Sequence, residues 1–101
     1  MDIDNAAAAL SLRFVSGDDF VMDITSTETI NTDTYAAKIY DIHESYIMDF
    51  ASTFKSTVCL TLTLTDTQTT GLLGNYEWYL DRVRGTETRT LINGTMEVTK
   101  K

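Results

Sequence analysis

A two-layer β-sandwich of about seven short antiparallel strands is predicted by three features of the sequence. Residues 57–64 alternate strictly, with Val58, Leu60, Leu62 and Leu64 on one side and Thr57, Cys59, Thr61 and Thr63 on the other. That period of two is the mark of a strand with one buried face. Residues 75–81 and 88–98 are both β-rich and flank the glycine-bearing connection Arg84-Gly85-Thr86-Glu87, which makes them a hairpin. Turn signals recur about every 8–12 residues through the rest of the chain, the spacing of short strands in a sandwich.

Taken in order, residues 1–9 carry no strand pattern and end in a run of alanines. They read as an N-terminal arm, either a frayed end or a segment lying on a neighbouring subunit, with one helical turn over residues 6–9 as an alternative to a flexible run. Residues 10–101 form the single sandwich domain. Leu10, Leu12 and Phe14 share one face of the first strand, and Ser16-Gly17-Asp18-Asp19 turns the chain. Phe20, Met22 and Ile24 share a face of the second, and the polar residues 26–32 that follow are a long loop, solvated or in contact with a partner, or a loosely paired edge. In the third strand Tyr35, Ala37 and Ile39 point inward, although two alanines leave a helical reading of residues 35–42 in competition. Residues 41–45 turn, Tyr46, Met48 and Phe50 lie on one side of the next strand, and residues 52–56 lead into the central one. Residues 65–74 are a threonine-rich corner, and no helix of useful length is required. In the hairpin Tyr76, Trp78 and Leu80 face inward with Ile92, Met96 and Val98, and burial of Trp78 contributes about 2–3 kcal/mol. Gly94 shares the phase of Ile92 and Met96. It reads as a simple kink, with a bulge or the close approach of another backbone as the alternatives.

The 101 residues suffice for one domain and one core, and the 43% apolar and 23% charged shares are those of a globular chain. Eight Lys and Arg against 15 Asp and Glu give a formal charge of −7, which repels phosphate, so neither nucleic acid nor an anionic membrane is an expected partner. One cysteine forms no internal disulfide. No apolar run approaches the roughly 18 residues of a membrane span. The N-terminus is acidic where a signal peptide is basic, so a soluble protein outside the general secretory route is expected.

Residues that carry chemistry elsewhere read here as structural. His43 is the only histidine, with no second one four residues on, and reads as a surface turn residue. Cys59 has no histidine nearby in sequence to serve as the base a nucleophilic thiol needs. The pairs Asp2/Asp4, Asp18/Asp19 and Asp41/Glu44 lack the spaced ligands of a calcium loop and read as solubilising charge. Asn93-Gly94-Thr95 matches the glycosylation pattern, which matters only in a secreted eukaryotic protein. Gly71 and Gly74 flank two leucines, apart from any Lys-Ser/Thr pair, and read as residues that let the corner turn. No catalytic, cofactor-binding or metal-binding residue is expected, and no enzymatic activity.

The order of these pieces resembles the immunoglobulin-like N-terminal domain of phage baseplate upper proteins and related tail, neck and fibre proteins. The resemblance lies in Gly17-Asp18-Asp19-Phe20, in Tyr35-Ala36-Ala37-Lys38-Ile39 and in the leucine/threonine run of residues 60–69. It continues in Gly74-Asn75-Tyr76 opening a strand and in the closing Leu91-Ile92-Asn93-Gly94-Thr95-Met96-Glu97-Val98. It covers most of residues 13–98. It implies an all-β, immunoglobulin-like sandwich in a virion structural protein of the tail, neck or baseplate, with no cofactor and no catalytic residue. Such a protein acts by assembly with copies of itself or with other virion proteins, through sheet edges, loops and the N-terminal arm. The edges have few obvious guards, since proline is absent and threonine stands where lysine blunts an edge. Two other duties fit the same residues: capsid decoration, and binding of a host-surface glycan on Tyr40, Tyr46 and Tyr79, some of which alternation turns outward.

Overall fold

A computed structural model describes residues 8–100. Nine strands and one helical turn occur among them: β1 (Ala8–Ala9), β2 (Leu12–Val15), β3 (Phe20–Thr25), β4 (Thr34–Asp41), β5 (Tyr46–Asp49), β6 (Ala51–Ser56), β7 (Cys59–Leu64), α1 (Asp66–Thr70), β8 (Gly74–Arg84) and β9 (Glu87–Thr99). One sheet has the order β1-β9-β8-β4-β5, with β2 also on β9, and the other is β3-β7-β6. This is an all-β sandwich of two packed sheets, as the alternation predicts.

The apolar alternation sets which side of each strand is inside. Leu60, Leu62 and Leu64 of β7 face Ile39, Trp78, Leu80, Ile92, Met96 and Val98 of the larger sheet, all at most 2% exposed. Phe50 joins them, its ring 5.8 Å from that of Trp78 in an edge-to-face pair. Ile30, in the polar loop between β3 and β4, is also buried and its N–H donates to Thr57 O over 2.8 Å. That loop therefore hangs on an apolar pin over the β6–β7 turn.

Several expectations are corrected. The strands number nine instead of about seven, and β1 and β2 run parallel to β9. Ser52 to Ser56 is no lead-in but part of β6, which pairs antiparallel with β7. All six of its residues are exposed, so it shows no apolar alternation to read. Thr57 and Val58 form the turn, and β7 begins only at Cys59. Ile47 is an extra residue on β5, because Met48 pairs with Ile39 while Tyr46 pairs with Tyr40. This puts Tyr46 on the outer face and Met48 on the inner, where one shared side was expected.

The threonine-rich corner holds the α1 turn. Thr65 caps it through a reciprocal box with Gln68, the hydroxyl accepting from Gln68 N and the Gln68 amide oxygen accepting from Thr65 N. Tyr76 then closes the corner: its hydroxyl accepts from Leu73 N over 2.9 Å and donates to Leu73 O over 3.1 Å, the tyrosine corner of such sandwiches.

Gly94 is not a simple kink. A Cβ there would collide with the backbone carbonyl of Leu10 and crowd Trp78 Nε1. The missing side chain lets residues 8–15 cross close over β9, and the indole N–H of Trp78, opposite Gly94 in the ladder, donates to Leu10 O over 2.9 Å. The largest buried ring thus satisfies its one polar atom on the chain's first strands.

Candidate interaction surfaces

The outer face of the larger sheet is set by the same alternation. With Ile39, Trp78, Leu80 and Ile92 inward, Lys38 and Tyr40 of β4, Glu77 and Tyr79 of β8, and Asn93 and Thr95 of β9 point out. The register lays Tyr46, Tyr40, Glu77 and Thr95 in one cross-strand row and Lys38, Tyr79 and Asn93 in the next. The three tyrosines touch: Tyr40 stands edge-to-face with Tyr46 at 6.0 Å and with Tyr79 at 5.5 Å. The outer two are held by carboxylates, Tyr46 donating to Asp49 Oδ1 over 3.0 Å and Tyr79 to Glu77 Oε2 over 3.2 Å. Each of those hydroxyls is harder to ionise than usual, Tyr46 chiefly through its bond to Asp49 and Tyr79 chiefly through burial. An open cleft of about 250 Å³ adjoins Tyr79, lined by Glu77, Asn93, Gly94 and Thr95. The sequence placed some of these tyrosines outward; the β5 bulge and the strand register bring all three together.

The sheet margins are the second surface. Each sheet ends in strands paired on one side only among the described residues. Large apolar side chains lie there: Val21 of β3, Tyr46 and Ile47 of β5 and Phe54 of β6 are all exposed. The expectation of few guards is corrected on one flank. An extra residue interrupts both neighbouring margins, Ile47 on β5 and Lys55 on β6, and such bulges blunt an edge. Lys55 bonds to Asp23 over 3.0 Å across the outside of the smaller sheet, and Thr61 donates to the other oxygen of Asp23 over 2.7 Å. These two bonds, Thr61 first, hold the Asp23 carboxyl below its ordinary value. At one end of the sandwich Arg84 grips Asp33 with two bonds of 3.0 and 2.9 Å, which tie the 26–33 loop to the β8–β9 hairpin and lower the Asp33 pKa.

The remaining residues singled out in the sequence are scattered. His43 is exposed in the β4–β5 turn, where Asp41 Oδ1 accepts the N–H groups of His43 and Ser45 over 2.8 and 2.9 Å. Those bonds, the one from Ser45 first, depress the Asp41 pKa. Cys59 belongs to the other sheet, buried, with Thr25 Oγ1 3.8 Å from its sulfur. Asp18 and Asp19 serve the corner: Asp18 O accepts the Thr69 hydroxyl over 2.7 Å and Asp19 Oδ1 accepts from Asp66 N over 2.8 Å. Asp2 and Asp4 lie outside the described residues, as does all of the N-terminal arm except Ala8 and Ala9. Asn93 sits on the exposed face of a strand, not in a loop. Among the described residues no three of His, Cys, Asp and Glu gather to hold a metal ion.

No protein-family model and no curated protein matches the chain.

Proposed function

We propose that the chain is a phage virion structural protein, a component of the tail, neck or baseplate that works by assembly and not by turnover. The observation that carries this reading is the set of sheet margins, β3, β5 and β6, that bear exposed apolar side chains, surfaces suited to holding a neighbouring protein. The order of sequence pieces that resembles phage immunoglobulin-like domains supplies the virion address. Capsid decoration is the same chemistry at another address. Mass spectrometry of purified particles, followed by a density map of the region that contains the chain, tests the reading; absence from the particle overturns it.

A second reading is favoured by the tyrosine row. Three rings in a row, with Tyr40 touching both others and the outer two hydroxyls fixed by carboxylates, beside a cleft lined by Glu77, Asn93 and Thr95, offer stacking faces and acceptors to an uncharged host-surface glycan. A glycan array probed with the protein and with Tyr40→Ala tests it, since a true ligand is lost in the variant. An array without hits removes this reading and leaves the first untouched.

A further inference from the structure

The four sheet margins are unequal. The β1/β2 margin is broken at residues 10–11, and the β5 and β6 margins each carry an extra residue, Ile47 and Lys55. β3 alone is regular, six residues from Phe20 to Thr25 paired with β7 without a register shift. Nothing else among the described residues pairs with it.

The direction of its free hydrogen-bonding groups follows from one distance. Ser26 N donates to Val58 O over 2.7 Å, and that pair continues the β3–β7 register in which Thr25 opposes Cys59. In an antiparallel ladder bonded and non-bonded pairs alternate. Residues 20, 22, 24 and 26 therefore bond to β7, and Val21, Asp23 and Thr25 turn their N–H and C=O groups to the open side. The side chains are asymmetric too: Phe20 and Met22 are half-buried on the inner face, and Val21 on the outer face is 67% exposed.

We propose that this margin pairs with its own copy, two β3 strands meeting antiparallel about a two-fold axis at Met22. This rests on the assembly reading above and names its first contact. Opposed residues must lie on the same side of the joined sheet, so the axis must pass through a residue. Only axes at Met22 or Asp23 keep five residues of each strand paired. An axis at Asp23 sets two carboxylates face to face, which is destabilising. The axis at Met22 sets Met22 against Met22 and Phe20 against Ile24 inside, and Val21 against Asp23 outside. The outward groups of Val21 and Asp23 then bond reciprocally, and the two three-stranded sheets become one of six.

Met22 and its copy form a non-bonded pair with Cα atoms about 4.5 Å apart, within disulfide range. The test is the full chain as Met22→Cys in a Cys59→Ser background, oxidised and run without reductant beside Thr53→Cys on β6, with sedimentation of the unsubstituted chain and of Val21→Pro. Proline at position 21 removes an N–H that points away from β7, so the fold, followed by circular dichroism, is expected to persist. The expected result is a disulfide dimer for position 22 and not for position 53, and self-association of the unsubstituted chain. Val21→Pro should weaken that association roughly 10-fold or more, because the symmetry removes two hydrogen bonds at once. Self-association with no crosslink at position 22 and no effect of Val21→Pro overturns the β3 contact and leaves the assembly reading standing. A full chain that stays monomeric, and dimerises only when residues 1–7 are deleted, overturns it by showing the edge filled from within. A particle that lacks the chain removes the assembly reading itself.

Discussion

At Gly94 the link between the first two strands adds a tight steric fit to the ladder bonds that hold those strands to β9, whereas at Thr69 the first turn meets the β7–β8 corner through side-chain hydrogen bonds. The Gly94 junction is a backbone crossing with no room for a methyl group, roofed by the indole of Trp78, whose N–H donates to Leu10 O; Leu10 N in turn donates to Asn93 O over 2.9 Å. The Thr69 junction is polar and centred on a threonine that is itself fully buried. The Thr69 hydroxyl donates to Asp18 O and accepts from Gly17 N over 3.0 Å, and Thr69 O accepts the Ser16 hydroxyl over 3.1 Å. The turn can take this path because Gly17 has φ +91°, which a side chain resists. A steric junction fails all at once, while a hydrogen-bonded one is lost bond by bond.

Substitutions at the two junctions should separate these behaviours. Trp78→Ala is expected to have the largest effect, about 3–5 kcal/mol, because it empties the centre of the core and orphans Leu10 O. Against a total of about 5–15 kcal/mol it should leave much of the population unfolded by near-ultraviolet circular dichroism. Gly94→Ala follows at about 3 kcal/mol, the upper end of over-packing costs, because the atoms in the way are backbone. A melting temperature within error of the parent would show that residues 8–11 can lift off β9 without consequence. Thr69→Val comes next, at about 1–2 kcal/mol, for removing the hydroxyl that pairs the partly buried Gly17 N and Asp18 O. Thr69→Ser should recover most of that loss, and failure to do so would mean that the methyl group and not the hydroxyl holds the corner.

The two junctions also differ in how far they can be read from sequence. Trp78 and Gly94 announce themselves by phase, as a large and a missing side chain on inward positions of a hairpin. What occupies the space above Gly94 is a segment some eighty positions earlier, and no local pattern names it. Thr69 is harder, since threonine fills that corner on every side and burial of one is a tertiary fact. The α1 turn did carry a local signal, the Thr65/Gln68 capping box, overshadowed by the threonines around it. β6 left none, because a strand exposed on both faces has no reason to alternate. The tyrosine row depended on one extra residue, Ile47, and a bulge shifts phase without changing composition.

Acid sharpens the contrast, because neither the Trp78 indole nor the Thr69 hydroxyl titrates in the acid range, while the depressed carboxylates lie elsewhere. Asp33 is lowered first by its bonds to Arg84, Asp23 first by Thr61 and then by Lys55, and Asp41 by the N–H groups of its own turn. A carboxylate that binds protons less readily in the folded chain than in the unfolded one adds stability wherever it is ionised. Its contribution is complete above the unfolded value, near 3.8, and disappears as pH falls through the lower folded value. Stability measured by denaturant midpoints should therefore be level at neutral pH and decline below about pH 4–5. Arg84→Ala should flatten part of that decline, by returning Asp33 toward its ordinary affinity for protons. Thr69→Val should lower the whole curve and leave its acid limb parallel to that of the parent. Parallel curves for Arg84→Ala and the parent would mean that the Arg84–Asp33 pair holds the loop in place without contributing to the acid response.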